Sequence, residues 1–321
     1  MPDGGYAWWY LDALSADGAH GLTIIAFIGS VFSPYYAWAR RRGPANPANF
    51  CAMNIALYGR RGHRWCMTER NAGALDRGTD WLTIGPSGMT WDGMGLTVRL
   101  DEIATPRPRR VRGTVRLYPS AVETRVLALD PASRHRWRPI APCARVEARF
   151  EHPALSWSGT GYFDTNTGER GLEDDFRRWD WSRAPVPDGT MVNYAPVSDG
   201  TMVNHAPVSD GTIVQYAVTP LAAPVLDLAM HYQSRGGVRD LPPMPSVTLP
   251  RTKWRVERNI GAMQRPEIIA TLEDTPFYAR SLVAADLGMG SVLAVHESLA
   301  LDRFRAPWVQ AMLPFRMPRR P

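Results

Sequence analysis

The 321-residue chain has little of what usually announces a function. Cysteine is scarce. Cys51, Cys66 and Cys143 are an odd number without a framework spacing, which argues against a disulfide scaffold and for reduced thiols in a cytoplasmic setting. The seven histidines form no His-x-x-x-His or Cys-x-x-Cys grouping, so no metal site is expected. There is no Gly-x-Ser-x-Gly elbow, no Walker loop and no Gly-x-Gly-x-x-Gly following a strand. Serine-nucleophile hydrolysis and nucleotide cofactors are therefore unsupported, and no cofactor is expected. The longest apolar stretch, Gly21 to Phe32, is shorter than the roughly 20 residues that span a bilayer. Met1-Pro2-Asp3-Gly4-Gly5 lacks the basic and apolar regions of a signal peptide, so any membrane association is expected to be peripheral.

Helical periodicity is also scarce, because 28 prolines and 27 glycines interrupt the chain. What remains is a long series of strand-like runs at short spacing, the pattern of antiparallel barrels or sandwiches. Expected strands include Tyr6–Leu14, Leu22–Phe32, Phe50–Tyr58, Arg110–Tyr118, Ala144–Phe150, Ser156–Phe163, Thr190–Tyr194, Trp254–Val256 and Ser291–Leu299. Prolines 131, 139, 142 and 153 crowd together near the middle of the series. Two all-β domains, 1–150 and 151–321, are the expected organisation.

Hydrophobic residues make up 45% of the chain, enough for full cores, and twelve are tryptophan. Net charge is +6, with positive charge concentrated in arginine runs at 40–42, 60–61, 107–112 and 316–320. Such runs are read either as solvated loops and a frayed terminus or as attraction to anionic lipid headgroups. No recognised nucleic-acid-binding motif accompanies them. Residues 184–194, 195–205 and 206–216 repeat the unit APVPDGTMVNY with small changes. Each unit joins an Asp-Gly turn signal to a strand-like run, and three such units are too few for a solenoid. One unit is expected to complete a barrel and the others to be neutral cargo.

Chemistry is most legible in Trp157-Ser158-Gly159-Thr160-Gly161-Tyr162-Phe163-Asp164. In an extended strand, Tyr162 and Asp164 point to the same face. An acid among π-rich rings suits protonation of an alkene, since aromatic faces stabilise the resulting carbocation. His135 and Trp137 repeat this i, i+2 spacing, and so does Tyr10 with Asp12. Each has a plainer reading. Asp164 also opens Asp-Thr-Asn-Thr-Gly, a natural hairpin loop. His135 and Trp137 sit in an arginine-rich segment that reads as an exposed edge. Asp12 is a second pocket acid or a buried structural carboxylate, the latter being favoured.

Five further stretches stand out: Gly4-Gly5-Tyr6-Ala7-Trp8-Trp9-Tyr10-Leu11-Asp12-Ala13, Gly29-Ser30-Val31-Phe32-Ser33-Pro34-Tyr35-Tyr36, Asn49-Phe50-Cys51-Ala52-Met53-Asn54, Arg64-Trp65-Cys66-Met67-Thr68-Glu69-Arg70 and Gly161-Tyr162-Phe163-Asp164. In these the chain resembles, over nearly its whole length, the acyclic carotenoid 1,2-hydratases, or hydroxyneurosporene synthases, of purple phototrophic bacteria. The triplicated segment departs from the resemblance. The resemblance implies two lipocalin-like (calycin) antiparallel β-barrels, an arrangement shared with some fungal Diels–Alderases. It implies cofactor-independent hydration of the terminal C1=C2 bond of neurosporene or lycopene in spheroidene or spirilloxanthin biosynthesis. The protein would work peripherally on the cytoplasmic face of the intracytoplasmic membrane. Catalytic roles fall on Asp164 as acid and on Trp137 and Tyr162 as cation stabilisers. His135 would orient the acid or accept a proton from the adding water. Two alternatives stand beside this, a calycin that only carries a lipophilic ligand and a related cyclase. An Asp164 carboxylate buried among aromatics favours the hydratase, whereas one exposed on a hairpin tip favours the carrier.

Overall fold

Antiparallel pairing organises most of the chain. A computed structural model describes residues 1–59, 63–187 and 209–320. Strands β1 (Tyr6–Ser15), β2 (Gly21–Ile28), β3 (Cys51–Tyr58) and β4 (Arg64–Arg70) pair in succession. Between β2 and β3 lies the helix α1 (Pro34–Arg40), opened by Pro34 and capped by the Ser33 hydroxyl, which accepts from Tyr36 N. Short strands β5 (Leu75–Arg77), β6 (Trp81–Ile84) and β7 (Ser87–Trp91) lead to β8 (Leu96–Ile103) and β9 (Arg110–Pro119). A two-residue β10 (Leu127–Ala128) precedes the long β11 (His135–His152) and β12 (Leu155–Gly168). Among the described residues these form one 12-stranded sheet, in the order β4-β3-β2-β1-β12-β11-β9-β8-β7-β6-β5 with β10 beside β11.

This sheet curls into a nearly closed barrel. Alternation along each strand divides side chains between two faces. Leu11, Ala13, Ile24, Met53, Val115 and Phe163 join one buried apolar cluster on the inner face. On β1 the intervening residues, Tyr6, Trp8, Tyr10 and Asp12, belong to the opposite face, yet they are buried too.

The boundary between units differs from the expected 150/151. One compact unit comprises Met1–Gly171 with Gln310–Pro321, and the other Leu172–Val309. The proline-rich stretch is not a linker. Strand β11 runs through Pro139 and Pro142 by shifting register at Pro139/Ala141 and Ala141/Ala144, and such bulges accommodate residues that cannot donate to the ladder. Strand β12 then lies between β1 and β11 and belongs to the first sheet.

The second unit contains β13 (Phe176–Pro187), β14 (Ser209–Pro220), β15 (Leu226–Gln233) and β16 (Val238–Leu241). After the β17 (Ser246–Leu249) and β18 (Arg258–Gly261) pair come β19 (Glu267–Asp274), β20 (Tyr278–Asp286) and β21 (Ser291–Ala300). Among the described residues seven of these form a sheet in the order β16-β15-β14-β13-β21-β20-β19. Ala184, Ile213, Ile260, Val283 and Ala294 share its apolar core. Two short helices, α2 (Leu301–Phe304) and α3 (Pro307–Met312), follow β21.

Two sequence expectations are corrected here. Trp254–Val256 is not a strand; Trp254 is exposed and pairing begins at Arg258. The arginine run at 316–320 is not frayed. Arg319 bonds Glu69 Oε1 at 2.6 Å and lies 4.7 Å over the Phe50 ring, while Arg316 lies 4.3 Å over Trp65. The expected strand Thr190–Tyr194, Arg60-Arg61 and the middle of the triplicated segment lie outside the described residues. The segment's two ends do not. Residues 184–187 finish β13 and 209–216 lie within β14, with Val186 paired to Gly211.

Candidate active site

The outer face of β1, β11 and β12 carries the residues singled out from the sequence. Register brings them together. Tyr10 is the cross-strand partner of Asp164, and Asp12 that of Tyr162, so the two Tyr-x-Asp pairs lie head to tail across neighbouring strands. On the other side of β12, Trp137 pairs with Asn166 and His135 with Gly168. All of these are buried: Asp12, His135, Trp137 and Tyr162 are 0% exposed and Asp164 is 3% exposed. Asp164 is therefore no hairpin tip, and His135 and Trp137 are no exposed edge.

Two donors converge on one oxygen of Asp164. Trp137 Nε1–H and the Tyr162 hydroxyl each donate to Oδ2 at 2.8 Å. An indole nitrogen only donates, which makes Oδ2 an accepting oxygen. Asn166 Nδ2 donates to the other oxygen, Oδ1, at a long 3.5 Å. The Tyr10 ring meets Tyr162 edge-on, with centroids 6.2 Å apart.

His135 occupies the far end of this face. Its row is four strand residues from that of Asp164, about 13 Å at the usual rise per residue. Its Nδ1 is 2.9 Å from the Tyr6 hydroxyl, and its backbone N–H donates to Asp130 Oδ1 at 2.8 Å. Tyr6 in turn stacks on Trp8 at 5.0 Å. Gly168 makes this meeting possible: a Cβ there would come within 2.2 Å of the Tyr6 ring and 2.8 Å of His135 Nδ1.

Thus Trp137, Tyr162 and Asp164 form one bonded cluster, and His135 shares its face through Tyr6. Sequence reasoning gave no role to Tyr6, Thr23, Asp130 or Asn166. The alternation Tyr6-x-Trp8-x-Tyr10-x-Asp12 was the available signal, since period two places all four on one face. Among the described residues, no group of three or more His, Cys, Asp or Glu side chains is arranged to hold a metal ion.

The carotenoid hydratase CrtC family profile matches residues 24–207 and 203–321, two segments that meet inside the triplicated region. The chain belongs to this family. It is 54% identical to the acyclic carotenoid 1,2-hydratase of Thiocapsa roseopersicina, covering 98% of this chain and 73% of that one. Its identity to the Rubrivivax gelatinosus protein of the same name is 45%, over 100% of this chain and 75% of the relative. Family membership makes the chain an enzyme of the hydro-lyase class. In fold it is similar to a putative AttH from Nitrosomonas europaea, with a TM-score of 0.58 at 13% identity over 92% of both chains. That likeness places both all-β units among calycin-like folds.

Proposed function

We propose that this carotenoid hydratase adds water to the terminal C1=C2 bond of acyclic carotenoids such as neurosporene and lycopene, without a cofactor, by acid-initiated carbocation chemistry. The observation that carries the proposal is the convergence of Trp137 and Tyr162 on Asp164 Oδ2 within a buried aromatic face. A trisubstituted alkene is a weak base, so its proton donor has to be held neutral and fixed in place. Desolvation at 3% exposure favours the neutral carboxylic acid, and the two donors fix its orientation with the proton on Oδ1. Transfer from Oδ1 to C2 leaves a tertiary cation at C1. The π faces of Trp137 and Tyr162 stabilise that cation until water adds. His135 stands two residues before Trp137 on the same face of β11 and acts as a positioning residue, held by Tyr6 and Asp130.

The substrate class is water-insoluble, so the enzyme would meet it at a membrane, peripherally on its cytoplasmic side. An exposed, stacked pair of tryptophans in the second unit supports this. Trp254 and Trp308 have centroids 6.3 Å apart, with Lys253 and Arg255 exposed alongside, a composition suited to an anionic lipid–water boundary. Among the described residues no helix is long and apolar enough to cross a bilayer.

The test is incubation of purified protein with lycopene in detergent. The 1-hydroxy product should form with the parent and be absent with folded Asp164→Asn, whose amide has no proton of useful acidity. A folded Asn variant with parental turnover would remove Asp164 from the mechanism and reopen the ligand-carrier reading.

A further inference from the structure

Once Asp164 has given up its proton, the site needs a group that takes one from the adding water. We infer that Asp12 is that group, the general base of hydration, with Thr23 holding the water beside it. This rests on the proposed hydration by Asp164 and extends it to the second half of the reaction.

Three adjacent strands supply one row of polar side chains. Thr23 of β2 pairs with Asp12 of β1, which pairs with Tyr162 of β12. All three share the face that bears Asp164, and all are buried, Thr23 at 3% exposure. The Thr23 hydroxyl has no hydrogen-bond partner among the described residues, although burial of an unpaired hydroxyl costs roughly 1–3 kcal/mol in proteins. A hydroxyl in that state, next to a carboxylate and in the same row as the acid's own hydrogen-bond donor, is a ready site for the water that reacts.

Spacing favours Asp12 over His135. Asp12 and Asp164 are diagonal neighbours on adjacent strands, about 7–8 Å apart on strand geometry. Inverting glycosidases hold one water between carboxyls about 6.5–9.5 Å apart, a range that two carboxylates rooted at this backbone spacing on one face can span. His135 is nearly twice as far along the face. Like charges this close disfavour ionising together, so the two carboxyls share one proton, and the reaction starts from the state in which Asp164 holds it.

The steps balance. The proton on Asp164 Oδ1 forms the new C–H bond at C2, and the π pair of C1=C2 is consumed. A lone pair of the water beside Thr23 forms the C1–O bond, and the resulting oxonium releases its extra proton to Asp12. The next water to enter beside Thr23 takes the proton from Asp12 and passes one to Asp164 Oδ1, which restores the starting state. Nothing is oxidised or reduced.

Deuterium separates the two halves. Parent enzyme acting on lycopene in D2O should yield hydroxylated product carrying one deuterium at C2. In Asp12→Asn, Asp164 still protonates the alkene, but the cation is not captured and returns by losing a proton to Asp164. Hydration should fall about 100-fold, the lower range for a general base, while recovered lycopene gains deuterium at C2. Thr23→Val should show the same split more mildly. Folded Asp164→Asn should show neither product nor exchange. Hydration by Asp12→Asn within threefold of the parent would overturn the inference, since Asp164 would then be recovering its own proton. So would loss of both hydration and exchange in a folded Asp12→Asn protein. An active Asp164→Asn enzyme would instead overturn the underlying reading. If Asp12→Asn does not fold, Asp12→Glu keeps the carboxylate and displaces it; an unchanged ratio of hydration to exchange in that variant refutes the role.

Discussion

The indole nitrogen of Trp137 lies 2.8 Å from Asp164 Oδ2, although 27 residues separate them in the chain. They sit on adjacent rows of β11 and β12, and the indole spans the gap. This contact makes Trp137 more than a ring face, because its N–H orients the Asp164 carboxyl through Oδ2.

Trp137→Phe and Tyr162→Phe each keep an aromatic face and remove a donor to the same oxygen. Each is expected to retain part of the activity, and the alanine variants far less. A desolvated cation–π contact contributes about 2 kcal/mol, roughly 30-fold in rate if lost from the transition state. The double Phe variant should lose less or more than the product of the single effects, since the two donors share Oδ2. Strict multiplicativity, measured as kcat on lycopene, would mean that the donors do not act through one carboxyl.

Removing residues 187–208, which is two 11-residue units, should leave a folded and active protein. The deletion joins Val186 to Ser209. The native pair Val186 and Gly211 would then be closed by Ser209-Asp210 alone, a two-residue hairpin loop. A shorter connection costs about 0.6 kcal/mol less to close per halving of its length, so the thermal midpoint should stay level or rise. A midpoint several degrees lower, or insoluble protein, would show that the extra units contribute to the fold.

Acidification should destabilise the second unit through His296 of β21. Burial, reinforced by the charges of Arg258 and Arg178, pushes this imidazole down to about 3. Neutral in the fold and basic when unfolded, His296 contributes stability that is fully present above pH 6.5. That stability is lost as pH falls from 6.5 toward 3, by at most about 1.4 kcal/mol per unit. Asp180 faces it, with Oδ1 4.0 Å from Nε2, and Ser298 bonds both side chains. Burial pushes the Asp180 carboxyl up, which works in the opposite sense. Comparison with His296→Gln isolates the histidine: the variant's melting temperature should fall less steeply between pH 6.5 and 4.5. Parallel curves would assign the acid sensitivity elsewhere.

Much of this was legible in the sequence because period-two alternation survives in strands with one apolar face. Tyr6–Leu14 and Ser291–Leu299 were expected within a residue or so of β1 and β21. The boundary at 150/151 failed for a local reason. Pro139 and Pro142 argue for a break, and only the bulges in β11 let the strand continue past them. Strand β13 was not expected because Arg178, Asp180 and Ser182 interrupt its apolar pattern. They meet polar partners of their own, with Asp180 bonded to Arg178 and Ser298 and Ser182 to Gln215. The pairing of Asp12 with Tyr162, and of Tyr10 with Asp164, depends on register between residues some 150 positions apart, which local pattern does not encode.

The placement of residues 310–321 on the first unit bears on how the protein is made. Glu69 exchanges backbone hydrogen bonds with this tail, accepting from Arg320 N and donating to Pro318 O, each at 2.9 Å. The ribosome delivers the tail only after all of residues 172–309. Until the intervening unit has been made, the first barrel lacks Arg319 on Glu69 and on the Phe50 ring, whose packing against Tyr36 is local. For that interval the nascent chain is equivalent to a protein truncated before Arg316.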